Sequence, residues 1–233
     1  MPKPVIKSLI KNEALLNARR AQLTATATDV FIRRGFRDVS VNEIANAAGI
    51  GIGSLYKYIR SKEDILYLVM DSIYGQLEDL LRSERAEAVT PEEALEHTCR
   101  RFLNAVRAVR RGVLLMYREY RYLPEAAQRE FMEREERIVN VFVEIIQEGN
   151  DAGAFHCSDP KLAALDLLMA GHAMALKGWM VGNGGFDHYI DTQTNLAMAL
   201  VGANSYEASP AVARDDSHRF RPSGAADGVT YLD

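Results

Sequence analysis

The sequence predicts an all-α protein of about nine helices. Apolar residues recur at spacings of three and four along most of the chain, and no segment reads convincingly as a strand. Ser40 and Thr90 each stand three residues before a glutamate, which is the spacing of a capping box, and Pro91 follows Thr90 at a first helical position. We therefore expect a flexible basic arm over 1–16, helical domains over 17–62 and 63–203, and a disordered tail over 204–233.

The helices are expected in the following order. The first runs from about 17 to 34 and ends at Gly35, and two short helices follow within 40–60. Ser61 then caps a long helix that reaches about residue 84. The remaining helices are predicted over 91–110, 112–123, 124–149, 160–181 and 187–202.

The stretch GIGIGSLYKYIRSK, residues 49–62, alternates glycines in the manner of a phosphate-binding loop. A nucleotide-binding loop follows a buried strand, whereas the preceding VSVNEIANAAG carries Ile44 and Ala47 at helical spacing. Two short helices joined by a tight glycine turn describe a helix-turn-helix. The phosphate that this stretch meets is therefore predicted to belong to a nucleic acid.

The distribution of charge supports that prediction. Residues 1–62 contain 11 Lys and Arg against 4 Asp and Glu, whereas the rest of the chain contains 17 against 28. A basic segment that coincides with a helix-turn-helix favours DNA as the partner. No run of apolar residues is long enough for a membrane span, the first residues do not form a secretory signal, and Cys99 and Cys157 have no metal-ligand spacing. We expect a cytoplasmic protein without metal or cofactor.

A known family shares these features. The run ATATDVFIRRGFRDVSVNEIANAAGIGIGSLYKYIRSKEDIL, within Arg19 to Leu81, resembles the N-terminal domain of the TetR family of bacterial transcriptional regulators. The resemblance implies a three-helix DNA-binding domain over 17–62 and an all-α ligand-binding and dimerisation domain over 63–203. It further implies a homodimer on a pseudo-palindromic operator, formed through helices 160–181 and 187–202, and a repressor that a small effector releases.

The resemblance also implies roles for individual residues. Val41 and Gly51 depart from the family, which often has Thr or Ser at the first position and a basic or polar residue at the second. For Tyr58, contact with the groove and burial in the core both stay open, whereas Leu55 and Ile59 are expected in the core. The implied DNA contacts are Ser54, Tyr56 and Lys62 to phosphates, Ile52, Gly53, Lys57 and Tyr58 in the major groove, and Ser40, Val41 and Asn42 at the backbone, while Gly51 permits close approach of the chain.

An effector site is expected among the middle helices. Aromatic and methionine side chains recur there at helical spacing, a pattern that is typical of a plain helical core as well as of a ligand pocket. For His172, both a core position and a hydrogen bond to ligand stay open. The candidate ligand contacts are Tyr67, Met70, Tyr74, Phe102, Val106, Met116, Tyr117, Tyr120, Arg121, Phe142, Ile145, Met169 and His172.

Two stretches narrow the effector class. LLMYREYRYLPEAAQREFMEREERIVNVFVEIIQEG and GWMVGNGGFDHY resemble the ligand domains of family members that sense acyl-coenzyme A. That resemblance implies an apolar tube for the acyl chain, with Arg118 or Arg121 near the phosphates. A broad pocket for hydrophobic drugs or aromatic compounds, as in regulators of efflux pumps, fits the same residues. On the helix over 160–181, a side of mostly small residues is expected to form the dimer face: Ala163, Ala170, Gly171, Met174 and Gly178.

Other classes of protein explain less of the sequence. An all-helical enzyme or small-molecule carrier would not need the basic first third of the chain, and no catalytic triad or metal cluster is visible. Glu135 and Glu136 are neighbours on a charged helix, where we expect both to be solvated. A purely architectural DNA-binding protein would leave the large acidic part of the chain without a role.

Overall fold

The computed structural model describes residues 13–82, 90–181 and 185–204, and within these ranges it contains helices and no strand. This confirms the all-α prediction. Two 3-10 turns, Tyr120–Tyr122 and Gly178–Met180, supplement the α-helices. The predicted arm lies outside the described residues except for 13–16, which begin the first helix, and the predicted tail lies outside them after 204. The helices are α1 (Glu13–Arg34), α2 (Val41–Ala47), α3 (Ile52–Leu55), α4 (Lys62–Arg82), α5 (Pro91–Glu119), α6 (Glu125–Asp151), α7 (Pro160–Leu176) and α8 (Gly185–Leu200).

Helices α1 to α3 form a small N-terminal unit. Phe31, Ile44 and Leu55, one from each helix, are fully buried, and the chain leaves α1 through Gly35 at a φ of +81°. Such a positive φ is favourable for glycine and strained for other residues. Both expected capping boxes, at Ser40 and Thr90, are present.

Helices α4 to α8 form a bundle around α5, which contacts each of the other four. Phe102 and Phe142 meet edge to face in its centre, with ring centroids 5.6 Å apart. Helix α4 also packs along α1, so it belongs to both parts of the molecule. Helix α4 therefore links the bundle to the N-terminal unit.

The predicted break between helices 91–110 and 112–123 is wrong. Helix α5 continues through this region to Glu119 and only bends at Val109, whose φ and ψ of −106° and 16° are non-helical. Gly112 is present because α4 approaches closely: a Cβ atom there would lie 2.9 Å from the Ile73 side chain. The glycine is thus a packing position rather than a helix end.

Helix α7 also differs from the prediction. It ends at Leu176 instead of 181, and Gly171, predicted at the dimer face, faces inward, because a Cβ there would lie 2.5 Å from the ring of Phe102. Ala163 is buried as well. The exposed side of α7 instead carries large apolar residues, namely Leu162, Leu165 and Met169.

Candidate DNA-reading surface and effector cavity

Helices α2 and α3 are joined by a turn in which Gly49 has a φ of +64°. After the turn, the start of α3 is exposed to solvent. Leu55 and Ile59 are fully buried in the core, as expected. Tyr56 is 50% exposed. The exposed residues among the predicted DNA contacts are Ser40, Asn42, Gly51, Ile52, Gly53, Ser54, Tyr56 and Lys57, with Val41 and Lys62 half-buried and Tyr58 buried.

The side chain of Ser40 is engaged in the cap of α2. Its hydroxyl donates to the Glu43 carboxylate at 2.8 Å and accepts from the Glu43 backbone N–H at 3.2 Å. The Ser40 backbone N–H, the Ser40 hydroxyl and Arg34 together lower the pKa of Glu43 to about 2. Asn42, next to this cap, is exposed, and its contact with the DNA backbone stays a prediction.

Tyr58 and Lys62 lie apart from the outward-facing residues of α3. Tyr58 is 7% exposed, which favours the core position for its ring over the groove. The Lys62 ammonium is 4.4 Å from the centre of the Phe36 ring and donates to the Arg37 carbonyl at 3.3 Å. Burial lowers the pKa of Lys62. The contact of Lys62 with phosphate stays a prediction. What the structure shows is a contact of the Lys62 side chain with the N-terminal unit.

A cluster of contacts joins the N-terminal unit to the end of α5. The buried Glu119 carboxylate accepts from the Phe36 backbone N–H at 3.2 Å and from Arg118 at 2.6 Å. Arg118 also donates to the Phe31 carbonyl at 2.7 Å, and the rings of Phe36 and Tyr122 stack with centroids 5.2 Å apart. Arg118 is therefore committed to this junction rather than to a ligand.

A cavity of about 410 Å³ lies between α4, α5 and α6. Its apolar lining is aliphatic except for one ring. Two guanidinium groups, those of Arg101 and Arg137, and the carboxylates of Glu78, Glu144 and Glu148 also line it. The apolar residues are Leu81, Ile138, Val141, Phe142 and Ile145.

Buried charges hold α4 against α6 beside this cavity. Arg134, whose side chain is 4% exposed, donates to both Glu78 oxygens at 2.9 Å and to Asp71 at 2.6 Å. Its guanidinium also lies 5.2 Å from the Tyr74 ring centre. Burial opposes the charge of Arg134, but the bonds to Glu78 and Asp71 prevail and raise its pKa. Because Glu78 also lines the cavity, this network and the cavity share a side chain.

Two tyrosines of α4 extend the network. Tyr74 donates to Glu135 at 3.0 Å, and Tyr67 donates to Glu130 at 3.1 Å. The expectation that Glu135 is solvated is therefore wrong: it is half-buried against Tyr74, and desolvation raises its pKa. The neighbouring Glu136 is exposed, as expected.

A separate polar contact joins α5 to α7. The Tyr117 hydroxyl lies 2.8 Å from Nδ1 of His172, and the two rings meet edge to face. His172 is buried, and desolvation lowers its pKa to about 4. A neutral imidazole paired with a phenol fits the core position for His172.

The structure brings only two of the thirteen candidate ligand residues to this cavity, Phe142 and Ile145. The others lie elsewhere in the bundle. Arg121 is exposed and stacks over Tyr122, Tyr117 and Met169 are exposed, and Tyr120 is half-buried. The remaining candidates are buried: Tyr67, Met70, Tyr74, Phe102, Val106, Met116 and His172.

Sequence reasoning missed most of the cavity lining. A signal for part of it exists, because Ile138, Val141, Phe142 and Ile145 have the spacing i, i+3, i+4, i+7 of one helix face. Arg101 and Arg137 carry no such signal, since both stand in runs of charged residues whose directions the sequence does not reveal.

Metal-ligand clusters and membrane-spanning helices are both absent from the described parts of the chain. In residues 13–82, 90–181 and 185–204, no group of three or more His, Cys, Asp or Glu side chains is placed to hold a metal ion. No helix in these ranges has the length and apolar character that crossing a membrane requires.

In comparisons with known proteins, both the N-terminal unit and the bundle match family models. Residues 23–67 match the family described as "Bacterial regulatory proteins, tetR family", and residues 88–188 match "Tetracyclin repressor-like, C-terminal domain". The chain is similar to the HTH-type transcriptional regulator HbdR of Aromatoleum sp. (strain CIB), with 27% identity over 175 residues, 75% of this chain and 76% of HbdR.

It is also similar to the HTH-type transcriptional repressor KstR2 of Mycolicibacterium smegmatis, with 30% identity over 143 residues, 59% of this chain and 68% of KstR2. Among solved structures, AibR in complex with isovaleryl coenzyme A and operator DNA has a TM-score of 0.67 at 21% identity, over 79% of this chain and 99% of AibR. At that identity the likeness establishes the shared fold.

Proposed function

The chain belongs to the TetR family of bacterial transcriptional regulators, and from this premise we propose that it is a repressor which binds a pseudo-palindromic operator as a homodimer and is released by an acyl-coenzyme A. The effector class is argued from the cavity between α4, α5 and α6, whose apolar lining is mostly aliphatic and which carries two arginines beside three carboxylates. Family members are ligand-responsive regulators rather than enzymes.

Different parts of the cavity would bind the acyl chain and the phosphates of an acyl-coenzyme A. A volume of about 410 Å³ lies in the range of small-molecule sites and has room for an acyl chain against Val141, Phe142 and Ile145. The Arg137 side chain is 61% exposed at the same cavity, where it would meet phosphates outside the apolar part. AibR, which shares the fold, forms a complex with isovaleryl coenzyme A, and this supports the same effector class here.

The position of the cavity supports a coupling to DNA. One wall belongs to α4, which begins at Lys62, four residues beyond the end of the recognition segment, defined here as residues 49–58. A ligand that favours a different spacing of α4 and α6 would shift the N-terminal unit, and operator binding would weaken ligand binding by the same factor. Release of DNA by the effector follows if the two ligands favour different positions of α4.

The dimer is supported by the exposed apolar residues of α7 and α8. Leu162, Leu165 and Met169 on α7, with Leu196 and Leu200 on α8, are each between 42% and 55% exposed. Contiguous exposed apolar residues on two neighbouring helices are typical of a protein interface. Two recognition segments would then meet half-sites one turn of DNA, ~34–36 Å, or a multiple of it apart.

The proposal is tested by selecting bound DNA from a random duplex pool, with and without octanoyl- or palmitoyl-coenzyme A. We expect a palindromic consensus that is lost when the acyl-coenzyme A is added. A palindrome that neither compound affects would overturn the effector class and favour a drug-like or aromatic ligand. The absence of any enriched sequence would overturn operator binding itself.

A matched pair of variants locates the effector. Val141→Trp fills the cavity from a residue that is 46% exposed, and Met132→Trp places the same ring on α6 outside the cavity lining. By calorimetry we expect Val141→Trp to weaken acyl-coenzyme A binding by about tenfold or more, equivalent to about 1.4 kcal/mol. Met132→Trp should bind as the native protein does. Equal affinities of the two variants would place the ligand elsewhere.

A further inference from the structure

The recognition helix is too short to hold its own conformation. Helix α3 has four residues, Ile52–Leu55, and its N-cap residue, Gly51, makes no side-chain capping bond. Isolated helices of this length are unstable in water, so contacts from the rest of the unit must maintain it. The buried Leu55, Tyr58 and Ile59 anchor it, but apolar contacts are not directional.

Two side chains of α1 supply directional contacts at both ends of this segment. Nε2 of Gln22 donates to the Ala48 carbonyl at 2.9 Å, just before the turn. Nη2 of Arg20 donates to the Tyr58 carbonyl at 3.1 Å, just after the helix. The bonds thus bracket the exposed residues that are predicted to meet DNA.

The orientation of the Gln22 amide is itself determined by a neighbour. Nη1 of Arg19 donates to Oε1 of Gln22 at 3.0 Å, so the amide NH₂ group faces the Ala48 carbonyl.

We infer that Gln22 and Arg20 are positioning residues, which orient the recognition segment so that its side chains read the operator sequence. The inference rests on operator binding, as proposed above. Base contacts depend on tight geometry, whereas phosphate contacts and long-range charge tolerate small displacements. Loss of either bond should therefore reduce the discrimination between sequences more than the affinity for DNA in general.

Two substitutions test this without changing the net charge. Gln22→Met removes the donor while keeping chain length and a good helix former. Arg20→Lys keeps the positive charge but removes the guanidinium that reaches Tyr58. Gln76→Met is the matched control, because Gln76 is exposed on α4 and donates to the Ser72 hydroxyl, away from the recognition segment.

The measurement is the ratio of dissociation constants for a scrambled duplex and for the selected operator, at one salt concentration. For Gln22→Met and for Arg20→Lys we expect this ratio to fall about fivefold, as the loss of one hydrogen bond would predict. Affinity for the scrambled duplex and its salt dependence should stay unchanged, since the number of neutralised phosphates is the same. Gln76→Met should leave the ratio unchanged.

A purely structural role would lower the melting temperature and leave the ratio unaltered, which would overturn the inference. If Gln22→Met does not fold at the assay temperature, the inference is tested with Arg20→Lys alone. If the native protein does not discriminate between the two duplexes, operator binding and this inference fail together. If the native protein does discriminate and the variants have the same ratio of dissociation constants, only this inference is overturned, and operator binding stands.

Discussion

The N-terminal unit, α1 to α3, and the bundle, α4 to α8, use their polar residues in opposite ways. In the N-terminal unit the candidate DNA contacts are mostly exposed, with Tyr56 half exposed and Lys57 on the surface. In the bundle, Arg134 is almost fully buried between two carboxylates, and Tyr74 is buried against Glu135.

This difference predicts different consequences of substitution. An exposed polar residue can be replaced with little effect on folding, so its loss is measured in binding. A buried charge that loses its partner leaves the other charge desolvated, so its loss is measured in stability. Two results would contradict this expectation. One is a substitution in the bundle that changes DNA binding but not stability, and the other is a substitution of an exposed residue that unfolds the protein.

The largest effect is expected for Arg134→Met. The substitution leaves the Asp71 and Glu78 carboxylates without their shared cation, which costs about 3–5 kcal/mol for a buried pair. Because these two side chains are 29% and 19% exposed, we expect the lower end of that range. The measurement is the free energy of unfolding by urea.

The control is Arg129→Met on the same helix, whose exposed ion pair with Glu125 should contribute at most about 0.5 kcal/mol. Adding Asp71→Asn and Glu78→Gln to Arg134→Met should recover part of the lost stability, since no uncompensated charge then remains. If Arg134→Met and Arg129→Met cost the same, the buried network does not hold α4 against α6.

A smaller effect, visible through pH, is expected for His172. Its folded pKa of about 4 is below the ordinary value of about 6.5, so the unfolded chain binds more protons between these values. The stability that the neutral imidazole contributes is fully present above about pH 6.5 and is lost as the pH falls toward 4. Between pH 7 and pH 5 we expect His172 to account for a loss of about 1–2 kcal/mol.

The check is His172→Asn, whose side-chain oxygen retains an acceptor near the Tyr117 hydroxyl but does not titrate. Urea unfolding of both proteins at pH 7 and pH 5 isolates the contribution of the histidine from that of all other groups. Parallel losses in the two proteins would mean that the pKa of His172 does not change on folding, as for a solvated imidazole.

The sequence was sufficient to predict the all-α fold and the position of the helix-turn-helix, because both depend on local signals. Capping boxes at Ser40 and Thr90, glycine turns and helical periodicity act over a few residues and are visible in the chain itself. Gly112 shows the limit: a glycine between helical stretches predicts a break, whereas here it permits contact with Ile73. Whether a glycine ends a helix or admits a neighbour depends on the tertiary structure.

The effector side was less predictable for the same reason. Arg134 and Arg137 stand three residues apart in one charged run, yet one is buried in an ion network and the other is exposed at the cavity. Similarly, Glu135 is half-buried and accepts a hydrogen bond from Tyr74, while Glu136 is exposed. Which face of α6 meets α4 is decided by packing between distant segments, and within α6 only the apolar spacing of Ile138, Val141, Phe142 and Ile145 indicates part of it.

The smallest effect on stability is expected for Lys57→Gln, at the exposed end of the recognition segment. Lys57 lies on the surface, so the free energy of unfolding should change by less than about 0.5 kcal/mol. Operator affinity should fall, with the size of the loss depending on sequence if Lys57 contacts a base and not if it contacts a phosphate. A phosphate contact would also reduce the slope of log K against log salt by about 1. Binding measured at several salt concentrations, on the operator and on a scrambled duplex, separates these two roles. Unchanged affinity on both duplexes would remove Lys57 from the interface and leave base reading to Ile52, Gly53 and the backbone around them.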